Sequence, residues 1–133
     1  MKLEQQVCSL DLAKRLKELG VRQESAFYWE QHWTEERGVM AVYLVQKKRY
    51  NTADCTGVKY FSAFTVAELG EMLPSFGSSF RDGGQWHCAN AVLEIEHPSD
   101  LKEGELHFQA DTEADARAKM FIYLIEKGMV KCD

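Results

Sequence analysis

The stretch Trp86–Gly128, WHCANAVLEIEHPSDLKEGELHFQADTEADARAKMFIYLIEKG, decides the fold class. Its first part alternates: Glu94 and Glu96 stand between Leu93, Ile95 and His97, the period-two pattern of a strand over Trp86–His97. Pro98 ends that strand, Ser99–Gly104 turns the chain, and Glu105–Ala110 returns as a second strand. Two strands this close in sequence pair most simply as an antiparallel hairpin. The period then changes to that of a helix. Thr112 is its N-cap, and Glu113 and Asp115 occupy the first turn, where the helix dipole favours acids. Ala114, Ala118, Phe121, Leu124 and Ile125 form a wide apolar stripe, and Gly128 closes the helix, with Met129 able to pack back on Leu124.

Upstream, Thr65 and Glu68 form a capping box flanked by Phe64 and Leu69 as a hydrophobic staple, and Pro74 stops the short helix after Leu73. The glycine- and serine-rich Ser75–Gln85 reads as an exposed loop anchored by Phe76 and Phe80. Val39–Gln46 is apolar almost throughout, which predicts a central strand covered on both faces. Ser25–Glu30 predicts another strand, Gln31–Gly38 a polar turn, Asn51–Gly57 a loop, and Val58–Ala63 a short strand. Near the start, Ser9 caps a helix bearing Leu12, Leu16 and Leu19, which Gly20 terminates. These elements predict one globular domain over residues 1–133, of α+β class. Its sheet is mainly antiparallel, with four to five strands and helices on one face. The three helices stand one at each end of the chain and one in the middle.

Composition narrows the function classes. The hydrophobic fraction of 45% and charged fraction of 28% are those of a packed globular protein. No apolar run approaches the roughly 18 residues a transmembrane helix needs, and the N-terminus lacks a signal-peptide pattern. Cys8, Cys55, Cys88 and Cys132 form no CxxC pair, so free thiols in a reducing cytoplasm are expected, with no metal site and no cofactor. Net charge is −5 and unevenly spread: residues 1–50 hold nine bases and seven acids, hence +2, and residues 51–133 hold seven bases and fourteen acids, hence −7. Between Glu94 and Asp115 eight acids accompany one base, Lys102. Such a face repels phosphate backbones, so general nucleic-acid binding is not expected. It suits a basic protein partner, or it is simply a solvated surface.

The reactive residues do not converge. His87 and Cys88 are neighbours on a strand and point to opposite faces. His97 and His107 can meet across the hairpin near Glu94, Glu96 and Glu105, where a solvated surface is the plainer reading than a metal site. A reactive thiol needs positive surroundings; Lys47, Lys48, Arg49 and Lys59 are near Cys55 in sequence, but Asp54 is nearer. Asp82-Gly83-Gly84 is a turn, without the lysine or spacing of a phosphate loop, and no HExxH, GxSxG or EF-hand pattern occurs. The dense aromatics, among them Phe27, Tyr28, Trp29, Trp33, Tyr43, Tyr50, Tyr60, Phe61 and Trp86, can instead build a binding surface.

Three groups of segments carry a resemblance. They are Val7-Cys8-Ser9-Leu10 with Leu16–Val21, Ser62–Pro74, and Glu113–Met120 with Tyr123–Glu126. Together they resemble a family of small hypothetical proteins carried by phages, prophages and mobile elements of bacteria. The resemblance implies an accessory protein acting in the cytoplasm of a bacterial host, and it carries no catalytic residues. The expectation is therefore a non-enzymatic protein that occupies a host or phage protein partner, with counter-defence as one such role. Its contact residues would be Trp29, Trp86, Glu94, Glu96, Asp100, Glu103 and Glu105. The alternatives are a small-ligand or nucleotide-sequestering domain, with Trp29, Trp86 and tyrosines lining a pocket, and an enzyme using Cys55 or Cys88.

Overall fold

The computed structural model describes residues 2–34, 39–50, 57–73, 77–90 and 107–130. Among them are helices α1 (Leu10–Glu18), α2 (Val66–Met72) and α3 (Glu113–Glu126). The strands are β1 (Tyr28–Thr34), β2 (Val39–Val45), β3 (Val58–Ser62), β4 (Gly77–Asp82), β5 (Gln85–Asn90) and β6 (His107–Ala110). The class is α+β with antiparallel pairing, as the hairpin-then-helix pattern predicts. The single sheet of four to five strands is not what forms: the strands make two three-stranded sheets, ordered β2-β1-β3 and β4-β5-β6. Nor do the helices stand at the chain ends. A 3-10 turn (Leu3–Gln5) and a bridge between Val7 and Thr65 precede α1, and described chain continues past α3 to Val130.

Two stretches account for the difference, one in each sheet. The expected Ser75–Gln85 loop contains strand β4, paired to β5 from Gly77↔Asn90 to Asp82↔Gln85. Its turn is Gly83-Gly84, both at positive φ (61° and 79°), the backbone that a tight two-residue hairpin requires. The first sheet differs because Val39–Val45 is an edge strand, not a central one, and its Val42 and Tyr43 are 38% and 50% exposed. The centre is β1, which runs through part of the expected polar turn, from Tyr28 to Thr34, and pairs with β2 and β3 on its two sides. Glu30 and Gln31 are buried on it, and the Glu30 carboxylate is satisfied there by Arg49, Tyr60 and His32.

Helix α3 anchors the core. Ala114, Ala116, Ala118, Met120, Phe121, Ile122 and Leu124 are all buried, so it is covered on more than one side. It packs on the β4-β5-β6 sheet, on α2 and on α1. The small alanines allow close approach, and Phe64, Leu16 and Leu69 fill the core against it. Each large apolar side chain so buried contributes about 1.5–3 kcal/mol. Caps fix the entries. Thr65 Oγ1 accepts from Glu68 N at 3.1 Å while Glu68 Oε1 accepts from Thr65 N at 2.9 Å, completing the predicted capping box. Glu68 also accepts from Ser25 Oγ at 2.8 Å and Ala26 N at 3.1 Å, tying the approach to β1 onto α2. Ser9 stands at the N-cap of α1, but its side chain caps nothing; its backbone N donates to Asp115 Oδ1 at 2.7 Å, joining α1 to α3.

Arg117 ties α3 to its neighbours. Its Nη1 donates to Val66 O at 3.1 Å, and its Nε and Nη2 donate to Ser79 Oγ at 3.1 and 2.9 Å. The guanidinium passes so close to α2 that a Cβ on Gly70 would lie 2.3 Å from Nη1. Gly70→Ala therefore gains helix propensity of about 1 kcal/mol but displaces the guanidinium from three part-buried hydrogen bonds to a charged donor, together worth about 1–3 kcal/mol. Denaturant unfolding is expected to show a net loss of stability in the wild-type background and a neutral or stabilising effect beside Arg117→Ala. Equal destabilisation in both backgrounds would contradict the contact.

Candidate functional site

The N-terminal segment, the first turn of α2, the β4–β5 hairpin and the first turn of α3 surround a cleft of about 480 Å³. That volume lies within the range of small-ligand sites. Trp86 stands opposite Arg81 and Ala110 in the strand register. With Phe27, Leu3 and Val66 it supplies the apolar wall, while Gln5, Arg81 and Asp111 bring polar groups to the same cavity. The hydroxyls of Thr65 and Thr112 are already used as helix caps. Asp111 accepts from Gln85 Nε2 at 2.8 Å, which holds it in place. Arg81 is exposed and forms no ion pair among the described residues, so its donors can turn to a ligand. The arrangement suits a flat molecule with apolar faces and a polar edge.

Of the contact residues expected from sequence, Trp86 lies in this cleft and Trp29 does not. Trp29 is half-buried against the core, and its Nε1 donates to Cys8 O at 2.9 Å, a structural bond. Glu94, Glu96, Asp100, Glu103 and Glu105 lie outside the described residues. The described end of the acidic segment is largely engaged in folding. Glu113 accepts from Ser79 Oγ at 2.9 Å, and Asp115 accepts from Ser9 N, with burial raising its pKa. Phe27, one of the aromatics expected to build a binding surface, lines the cleft too; Arg81, Gln5 and Asp111 were not legible as site residues, because they are scattered along the chain and each has an ordinary local setting.

A second polar centre sits on the first sheet. Glu30, fully buried on β1, is gripped by Arg49, whose Nε donates to Oε2 at 3.2 Å and whose Nη2 contacts Oε1. Tyr60 Oη donates to Oε2 at 2.7 Å, and His32 Nε2 bonds Oε1. Tyr50 N then donates to Tyr60 Oη at 2.9 Å, so the segment after β2 is strapped across β1 and β3. Hydrogen bonds from Arg49 above all hold the Glu30 carboxyl down at about 2, well below the usual range. A carboxylate this well satisfied and this weakly basic is a poor general base. It is a fastener.

The thiols and imidazoles are likewise placed by folding. Cys8 and Cys88 are fully buried, and burial pushes their thiols up to about 12 and about 11. Cys55 and Cys132 lie outside the described residues. His107 stands opposite Ala89 and meets His87; His97, expected to meet it across the hairpin, lies outside the described residues. The two rings are stacked with centroids 5.0 Å apart and Nδ1 of His87 2.8 Å from Nε2 of His107, and Phe80 stacks on His87 at 5.1 Å. Among the described residues no three His, Cys, Asp or Glu side chains gather as a metal site, and no helix is long and apolar enough to cross a membrane. Comparison of the chain with family models, curated proteins and solved structures finds no match.

Two measurements follow. At about pH 7.5, where a reactive thiol is ionised, alkylation of Cys8 and Cys88 is expected only as fast as the chain unfolds, with sites mapped by mass spectrometry. Rapid alkylation of either in the native protein would refute their burial. Because the folded pKa of Glu30 lies below its ordinary 4.5, its contribution to stability is present above about pH 4.5 and fades as pH falls toward 2. Glu30→Gln should lower the melting temperature at pH 7 and flatten that acid slope; parallel wild-type and variant profiles would exclude the fastener role.

Proposed function

We propose that this chain is a non-catalytic binding protein whose ligand occupies the cleft beside Trp86. The observation that carries the reading is the convergence of Trp86 and Phe27 with Arg81, Gln5 and Asp111 on one cavity of ligand size. Trp86 and Phe27 offer apolar surface to a planar ring, and the amide, guanidinium and carboxylate offer donors and acceptors to its edge. A heterocycle of nucleobase type fits that chemistry, which is the sequestering role among the expected alternatives. The buried, weakly acidic Cys8 and Cys88 and the saturated Glu30 support binding over thiol or carboxylate catalysis. The resemblance of the helical segments to mobile-element proteins supplies the setting, an accessory role in the cytoplasm of a bacterial host.

A specific observation also favours a protein partner as the second reading. Trp33, Tyr43 and Tyr50 are 53%, 50% and 44% exposed, and all belong to the β1–β2 hairpin or the strap that follows it. Aromatics in such positions are the usual anchors of interfaces. On this reading the counter-defence role would act through the first sheet as well as through the acidic segment.

A thermal-shift screen of nucleobases, nucleosides and related heterocycles separates the two. A ligand that binds only the folded chain raises its melting temperature. The expected hits quench tryptophan fluorescence in the wild type and lose affinity about tenfold in Arg81→Ala, an exposed position that leaves packing intact. Trp86→Phe should retain part of the binding. Hits indifferent to both substitutions would remove the cleft, and partner capture abolished by Trp33→Ser with Tyr43→Ser would transfer the function to the first sheet.

A further inference from the structure

A second, smaller cavity of about 310 Å³ opens where α1 meets the β3 edge of the first sheet. Three lysines line it from three elements: Lys17 on α1, Lys48 in the strap after β2, and Lys59 on β3. Tyr28, Tyr60 and Gln23 complete the wall. The neutral polar groups there are already committed. Gln23 Nε2 donates to Val21 O at 3.0 Å and its Oε1 accepts from Ser62 N at 2.9 Å, while Tyr60 Oη serves Glu30 and Tyr50. Two of the ammonium groups have neutral partners that place them without neutralising them. Lys17 Nζ donates to Tyr60 O at 2.9 Å, and Lys48 Nζ sits 5.1 Å from the Tyr28 ring centroid and 5.9 Å from that of Tyr60. No carboxylate pairs with any of the three among the described residues, and the nearest buried acid, Glu30, is occupied by Arg49.

We propose that Lys17, Lys48 and Lys59 form a binding site for a small phosphate-bearing molecule, separate from the Trp86 cleft. Like charges brought to one cavity repel, and a compact dianion reverses that repulsion by accepting from all three ammonium groups. Desolvation and the two neighbouring lysines already lower the pKa of Lys17, the strain an anion would relieve. Lysine is a point-charge phosphate binder that needs no planar fork. Val58 and the tyrosine rings offer the organic part of an ester a place to lie. A polynucleotide is the poorer candidate, because a chain of net charge −5 repels an extended phosphate backbone while a local cavity can still attract one group.

Calorimetric titration of the purified chain at low ionic strength tests this, with inorganic phosphate, pyrophosphate and phenyl phosphate as probes and chloride at matched ionic strength as control. Saturable binding is expected, weakened about tenfold by Lys17→Gln and by Lys59→Gln taken singly, and unchanged by Lys127→Gln, an equal change of charge elsewhere. Circular dichroism confirms that the variants fold. Phenyl phosphate binding more tightly than inorganic phosphate would identify an ester as the ligand, and equal binding the free anion. Absence of binding beyond the chloride control, an equal loss in Lys127→Gln, or tighter and steeply salt-dependent binding of a single-stranded oligonucleotide would each overturn the proposal. Arg81→Ala should leave phosphate binding intact, so failure of the cleft reading and failure of this one are distinguishable.

Discussion

Burial of α3 on more than one side is the constraint from which the rest of the structure follows. A helix with Ala114, Ala118, Met120, Phe121 and Leu124 all inside must be covered by several elements at once. The β4-β5-β6 sheet covers one side, while α2 and α1 take others. Polar ties act at both its ends: Asp115 reaches the start of α1 and Arg117 reaches α2 and β4, while Glu126 accepts from Arg15 of α1. Apolar area supplies most of the stability, and the polar ties decide which neighbour goes where.

That placement creates the cleft. The first turn of α3, the first turn of α2 and the β4–β5 hairpin are brought to one rim by contacts that lie beneath it, and the N-terminal segment closes the side. Cys88 faces the helix from the same strand that presents Trp86, one buried and one open to the cavity. Lying two residues apart, they share a face of the strand, and they differ in that Cys88 is sealed in the core while Trp86 borders the cavity. The first sheet is organised on another principle, a buried carboxylate with donors from three other residues. That network fixes the strap bearing Lys48 and Tyr50, and so shapes the lysine cavity.

The helices were legible because their signals are local. The capping box at Thr65 and Glu68, the glycine stops at Gly20 and Gly128, and the apolar stripe of α3 each lie within a few turns of chain. The sheets were less legible because their determinants are distant or disguised. Glu30 and His32 look like solvent-facing residues until Arg49 and Tyr60 arrive from other segments to satisfy them. Val39–Val45 looks like a central strand, yet an edge strand can carry the same residues when its Val42 and Tyr43 serve the surface. The Gly/Ser-rich stretch hid β4, although Asp82-Gly83-Gly84 is itself a hairpin signal. Of the candidate site only the aromatics Trp86 and Phe27 could be named, since a cleft assembled from distant segments leaves no spacing to read.

Native-state hydrogen exchange tests the organising role of α3 most directly. If α3 holds the fold, the amides of Phe121, Ile122 and Leu124 should exchange together with those of β5 at the global unfolding free energy, while β2, an edge strand, opens earlier. Exchange of α3 in a separate, less stable step, with β2 and the rest of the first sheet still protected, would contradict the account.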